Sequence, residues 1–172
     1  VVPTTSALVA LAIGDALASV LMTQRGFNKK DFARNHPGGE LGKQLSLKVE
    51  SLMHPLIEVA QINGNDSIST CANKMTEKPL GAALMINGNQ LVGILTEGDL
   101  RKSIADSNDL STPIKNFVNT SPISVDPSIS ILDAMKVMED RDSQISVLPI
   151  VDSSKKCLGL LTLHDLYQTK LV

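Results

Sequence analysis

The chain is poor in aromatic residues: tryptophan is absent, and three phenylalanines and one tyrosine are all that 172 residues carry. A platform of rings on which exposed bases could stack is therefore not expected, which removes one route to single-stranded nucleic acid. An excess of either charge sign is missing too. Sixteen Lys and Arg stand against eighteen Asp and Glu, with no basic stripe or patch, so the electrostatic footprint of a nucleic-acid partner is absent. Cysteine is scarce. Cys71 and Cys157 lie in apolar segments without C-x-x-C spacing, and read as small buried hydrophobes in a reduced, cytoplasmic setting, with no metal site. Gly38, Gly39 and Gly42 form neither a phosphate loop nor a dinucleotide fingerprint, and no cofactor requirement is expected. The longest apolar run, Ala7 to Met22, is interrupted by Gly14 and Asp15. It reads as too short and too polar at its centre for a membrane span, so a soluble chain without a membrane partner is expected.

What the chain has instead is a repeat. Gly93-Ile94-Leu95-Thr96-Glu97-Gly98-Asp99-Leu100 recurs as Gly159-Leu160-Leu161-Thr162-Leu163-His164-Asp165-Leu166, 66 residues on at every position. Upstream, Ser67-Ile68 and Cys71 align with Ser130-Ile131 and Ala134 at an offset of 63. Fixed offsets mean one structural unit used twice, each of about 60 residues. The shared core reads as a short buried strand handing over to a helix.

In the first unit, the pattern predicts an extended piece over 58–62, a helix over 67–75, a strand over 81–86, a turn at Asn87-Gly88, a strand over 91–95 and a helix over 98–105. The second repeats this order: extended 122–125, helix 131–138, strand 146–151, a solvated turn through Asp152 to Lys156, strand 158–161 and helix 163–169. Met75, Met135 and Met138 fall at helical spacing as core fillers. A mixed sheet with helices packed on it follows, an α/β or α+β fold.

Ahead of the repeats, residues 6–24 predict a helix capped by Thr5 or Ser6 and ended by Gly26. It is apolar nearly all round, as expected of a helix inside a protein, and Val1-Val2-Pro3-Thr4 reads as a strand end entering a loop. The chain is thus expected to begin within a domain. His36-Pro37-Gly38-Gly39 is a turn, since Pro fixes one backbone angle and Gly permits left-handed ones.

The duplicated Gly-h-h-Thr-x-x-Asp-Leu units resemble a tandem pair of cystathionine-β-synthase (CBS) domains, a regulatory module that binds adenine nucleotides or related ligands. The segments Pro3-Thr4-Thr5-Ser6, Ala12-Ile13-Gly14-Asp15-Ala16-Leu17-Ala18 and Phe32-Ala33-Arg34-Asn35-His36-Pro37-Gly38-Gly39-Glu40-Leu41-Gly42 resemble the end of a sugar isomerase (SIS) domain. That order is similar to the D-arabinose 5-phosphate isomerases, which interconvert ribulose 5-phosphate and arabinose 5-phosphate, the precursor of the lipopolysaccharide sugar Kdo. The resemblance divides the chain into an SIS remnant (1–45) and two CBS domains (46–112 and 113–172). It implies a sugar-phosphate substrate for the whole enzyme, a chain inactive alone, and an adenine nucleotide or CMP-linked sugar as regulatory ligand. The alternative is a stand-alone CBS-pair module for ligand binding or dimerisation, and a homo-oligomer is expected in either case.

Aldose–ketose isomerisation needs a group that moves a proton near neutral pH, and the resemblance assigns this to His36 in the parent protein. Asp99 and Asp165 stand three residues after Thr96 and Thr162. A carboxylate there is placed to accept ribose hydroxyls, with the Thr hydroxyl and first-turn amides beside a phosphate. The same spacing is also that of a helix cap, and one residue can serve both roles. Ser146 and Pro149 are placed to line a base pocket, as are Gly81-Ala82-Ala83. Because Glu97-Gly98 becomes Leu163-His164, the Thr162–Asp165 site is expected to accept an anion more readily than the Thr96–Asp99 site.

Overall fold

The computed structural model describes residues 3–28, 31–32, 35–36, 47–107 and 109–168, in two compact units divided after Ser46. In the first unit, α1 (Thr4–Gln24) starts earlier than the sequence pattern indicates. Thr5 and Ser6 lie inside its first turn, and Pro3 takes the cap position without a side-chain hydrogen bond. Its end follows expectation: Gly26, at φ 61°, lets its own N–H reach the carbonyl of Thr23 and that of Phe27 reach Met22. Leu8, Leu11, Ile13 and Leu17 are exposed, so the expectation of a buried helix is not met within this unit. With its added ends the helix reaches 21 residues and is, by length and composition alone, long and apolar enough to cross a membrane. The interrupted run Ala7–Met22 understated this because helical residues on either side extend it.

The second unit holds both repeats. β1 (His54–Pro55) and β2 (Ala60–Ile62) lead into α2 (Ile68–Glu77), β3 (Ala82–Asn87), β4 (Gln90–Thr96) and α3 (Glu97–Asp106). The second repeat gives α4 (Ile131–Glu139), β5 (Val147–Val151), β6 (Cys157–Thr162) and α5 (Leu163–Gln168). Ser67 and Ser130 open α2 and α4 by accepting from the backbone N–H groups of Thr70 and Asp133. In the first hairpin β3 runs on through Asn87, and Gly88 at φ 62° starts the reversal. In the second, the Asp152 carboxylate accepts from the N–H groups of Ser154 and Lys156.

The mixed sheet expected is formed as two sheets of three strands, ordered β2-β3-β4 and β1-β6-β5, with β2-β3 parallel and β3-β4 antiparallel. Their pleats divide the side chains by face. Ala83 and Leu95 enter the first repeat's core with Ile68, Cys71 and Met75, while Leu148, Ile150 and Leu161 enter the second's with Ile131, Ala134 and Met138. The opposite faces, through Ala82, Leu84, Ile94, Val147 and Leu160, share a third cluster. Strands buried on both faces explain why they read as continuous apolar runs. Burial pushes the Cys71 thiol up to about 11 and raises that of Cys157.

The order β1-β6 means that the segments leading into the repeats are exchanged. Val49 packs in the second repeat's core, with its N–H on the Ile129 carbonyl, while Ile114 and Val118 pack in the first, the Ile114 N–H on the Asp66 carbonyl. His54 then pairs with Leu160 of β6, and Asn119 makes two backbone hydrogen bonds of 2.9 Å with Ile94 of β4. The motif glycines permit this. A Cβ on Gly159 would stand 2.0 Å from the His54 carbonyl oxygen, and one on Gly93 2.5 Å from a Val118 methyl.

Candidate functional site

Each strand-to-helix junction opens on a cleft completed by the other repeat. At the first, the backbone N–H and hydroxyl of Thr96 both donate to Oδ2 of Asp99, at 3.0 and 2.6 Å, and Thr96 Oγ1 accepts from the Asp99 N–H. This is a complete capping box, so the cap role is realised. It leaves Oδ1 of Asp99 without a partner among the described residues. The N–H of Glu97 binds the Gly81 carbonyl at 3.1 Å, tying the start of α3 to the entry of β3.

The cleft above Thr96 has a volume of about 620 Å³. Asn119, Pro122, Ser146 and Pro149 line it together with the carboxylates of Glu97 and Asp99 and two cations, Arg101, 4.0 Å from Glu97, and Arg141. The site residues Thr96, Asp99, Ser146 and Pro149 thus come together here. With an unengaged carboxylate oxygen, a threonine hydroxyl, the amides of a ten-residue helix and two guanidinium groups, the cleft can hold a ligand combining a diol with a phosphate.

The second cleft, of about 700 Å³, takes its walls from Thr162, Asp165, Ser146, Leu80 and Glu97. Thr162 and Asp165 reproduce the capping geometry, with the hydroxyl donating to Oδ2 at 2.6 Å. Here, however, His54 intervenes. Its Nε2 lies 3.2 Å from Oδ1 of Asp165 and its Nδ1 lies 3.2 Å from Oε2 of Glu58. Burial works against charge on this imidazole, but the hydrogen bonds to Glu58 and Asp165 and their negative charge outweigh it and lift His54 above the ordinary histidine range.

Counted by charge, the clefts run opposite to the sequence expectation. Among the described residues the first sets two arginines against two carboxylates, while the second sets His54 and His164 against Glu97 and Asp165. Comparing only residues 97–98 with 163–164 missed Arg141, which comes from the opposite repeat, and Arg101, whose place at the 66-residue offset is taken by Tyr167. The Tyr167 hydroxyl donates to Glu139 instead.

His36 belongs to the first unit, exposed, with its ring centroid 4.7 Å from that of Phe32 and its N–H on the Phe32 carbonyl. The rest of its turn, Pro37 to Gly39, lies outside the described residues. His54, Asn119 and the two arginines carry no motif of their own. A signal for the first two was nonetheless present: they occupy the same place in the two leading segments, 65 residues apart.

Duplicated strand-helix-strand-strand-helix units around paired clefts define a tandem CBS module, and the chain belongs to the CBS domain family, matched over residues 49–106 and 114–170. Among individual proteins it is similar to the arabinose 5-phosphate isomerase KdsD of Francisella tularensis, 35% identical over 98% of this chain and 51% of that protein. The KdsD enzyme of Pseudomonas aeruginosa is 38% identical over 95% of this chain and 50% of its own length. The chain therefore spans about half the length of these curated relatives. In three dimensions it resembles a CBS domain protein from Pyrobaculum aerophilum complexed with AMP, with a TM-score of 0.61 and 21% identity over 69% of this chain and 89% of that one.

Proposed function

We propose that this chain is the regulatory end of a D-arabinose 5-phosphate isomerase, and that its CBS pair senses a nucleotide or nucleotide-activated sugar. The relatives of matching sequence are isomerases of that kind, and one structural relative holds AMP. In this reading residues 1–45 are the end of a sugar isomerase domain, and 46–112 and 113–172 are the two CBS domains. His36 serves as the proton-transferring group of the whole cytoplasmic, homo-oligomeric enzyme, which needs no cofactor and feeds Kdo synthesis.

The observation that carries the regulatory half is the first cleft, where Asp99, with one carboxylate oxygen unengaged among the described residues, lines the same space as Arg101 and Arg141. Asp99 accepts the hydroxyls of a ribose, the arginines meet the phosphate, and Ser146 and Pro149 lie against the base. Calorimetric titration with AMP, ATP and CMP-linked sugars tests it, with saturable heat from at least one expected. An intact fold that binds none of them overturns it. Turnover of arabinose 5-phosphate by the chain alone would contradict the view that it lacks a complete active site.

A second reading, a stand-alone binding or dimerisation module, draws on the exposed apolar side chains of α1. Gel filtration in which deletion of residues 1–28 abolishes dimers, together with no upstream isomerase domain in the reading frame, would favour it.

A further inference from the structure

The two clefts share their Thr–Asp geometry and differ in one intruding side chain. At the first, the segment crossing β4 supplies Asn119, whose Oδ1 accepts from the N–H of Ser121 and makes no hydrogen bond to Asp99. At the second, the matching segment crossing β6 supplies His54, whose ring spans the mouth from Glu58 to Asp165. Both Asp165 oxygens are thereby engaged: Oδ2 by Thr162 and Oδ1 by the imidazole. Asp99 keeps Oδ1 open.

We infer that His54 restricts this chain to one nucleotide-type ligand, held in the first cleft, by occupying the carboxylate that the second cleft would offer to a sugar diol. A ribose entering the second cleft must displace the imidazole and leave a carboxylate pair without its donor, a loss that the open Asp99 does not impose. Charge acts in the same direction. The groups facing His54 are Glu58 on its own segment, Asp165 and His164 on α5 and Glu97 at the start of α3, and among the described residues no Lys or Arg lines that cleft. The ammonium of Lys78, just before Pro79 in the cleft lining, donates to the backbone carbonyls of Ile57 and Val59. Among the described residues, a phosphate at the second cleft meets two carboxylates and two imidazoles, whereas at the first the two carboxylates are matched by two guanidinium groups, that of Arg101 lying 4.0 Å from Glu97. The raised proton affinity of His54 agrees with its service as a donor to both carboxylates.

This inference rests on the reading of the clefts as nucleotide sites, and calorimetry with AMP separates the two. The wild-type chain is expected to take up one equivalent, lost in Asp99→Asn and kept in Asp165→Asn. His54→Asn, which installs the residue of the first cleft, is expected to admit a second equivalent, with its fold checked by circular dichroism. Two equivalents in the wild type, or loss of binding in Asp165→Asn but not in Asp99→Asn, overturns the inference alone, as does a well-folded His54→Asn that still takes one. Absence of heat from every variant overturns the nucleotide reading and this inference with it. Should His54→Asn not fold, the wild-type stoichiometry and the two aspartate variants decide the matter.

Discussion

The carbonyl oxygen of His54 lies 2.0 Å from the point where a Cβ on Gly159 would stand, although 105 residues separate the two in sequence. No rotamer change relieves that overlap, because the obstructing atoms are backbone. Gly159→Ala is therefore expected to cost about 3 kcal/mol or more, at the upper end of overpacking. At the matching Gly93 the nearest atom is a γ-methyl of buried Val118 at 2.5 Å, with the Asn119 carbonyl oxygen farther off at 3.1 Å, so Gly93→Ala is expected to cost about 1–3 kcal/mol, less than Gly159→Ala. Urea denaturation of both variants checks the order.

Ser67 and Ser130 cap α2 and α4 through single hydroxyls. Replacing either by Ala is expected to lower stability by about 1 kcal/mol, and the pair to add, since the caps belong to different cores. Equal effects on both would follow from the duplication; a double variant no less stable than either single would contradict it.

His54 gives the fold a pH dependence whose sign follows from its partners. Its folded-state value lies above the unfolded one, so the stabilisation is fully present below about pH 6.5 and is lost as pH rises through the raised value. The difference in Tm between wild type and His54→Gln should shrink from about pH 6 to about pH 8. A constant difference would mean that the contact is independent of protonation.

Asp66 acts in the other direction. Burial alone would raise its pKa, but the Lys74 ammonium at 2.7 Å and the Asn63 N–H hold it below the usual carboxylate range. That stabilisation is present above about pH 4 and is lost as pH falls through the lowered value. Acid unfolding of Asp66→Asn should accordingly be shallower than that of the wild type below about pH 4.

Arg141 stands at the first cleft without an ion-pair partner among the described residues. Arg141→Ala is expected to weaken AMP binding by about tenfold, the loss of one charge-assisted hydrogen bond to phosphate, and to leave adenosine binding unchanged. An equal loss for both ligands would place Arg141 away from the phosphate.

Most local structure was legible because its causes are local. Ser67 and Ser130 announce helices within three residues, and the Asn87-Gly88 pair places a hairpin to within one position. The Thr–Asp pairs were readable for the same reason, as was their double use as caps. The strand order was not, since the partners of Val49 and Ile114 lie in the opposite repeat and nothing in either segment announces that distance. His54 was overlooked on the same account: a lone histidine before a proline carries no pattern until Asp165 is brought beside it. Helix α1 shows a different limit, because an all-round apolar pattern states that a surface wants cover without saying what covers it.

The exchange of leading segments also bears on how such a chain could arise. One repeat by itself owns a groove for a strand it cannot fill and a strand for a groove it does not possess. Made as a separate polypeptide, it would close only by meeting a second copy, in an assembly that dilution would undo. Joining the copies end to end fixes their local concentration and frees each groove from having to accept an identical partner. Only in the joined form can one position hold histidine and its counterpart asparagine.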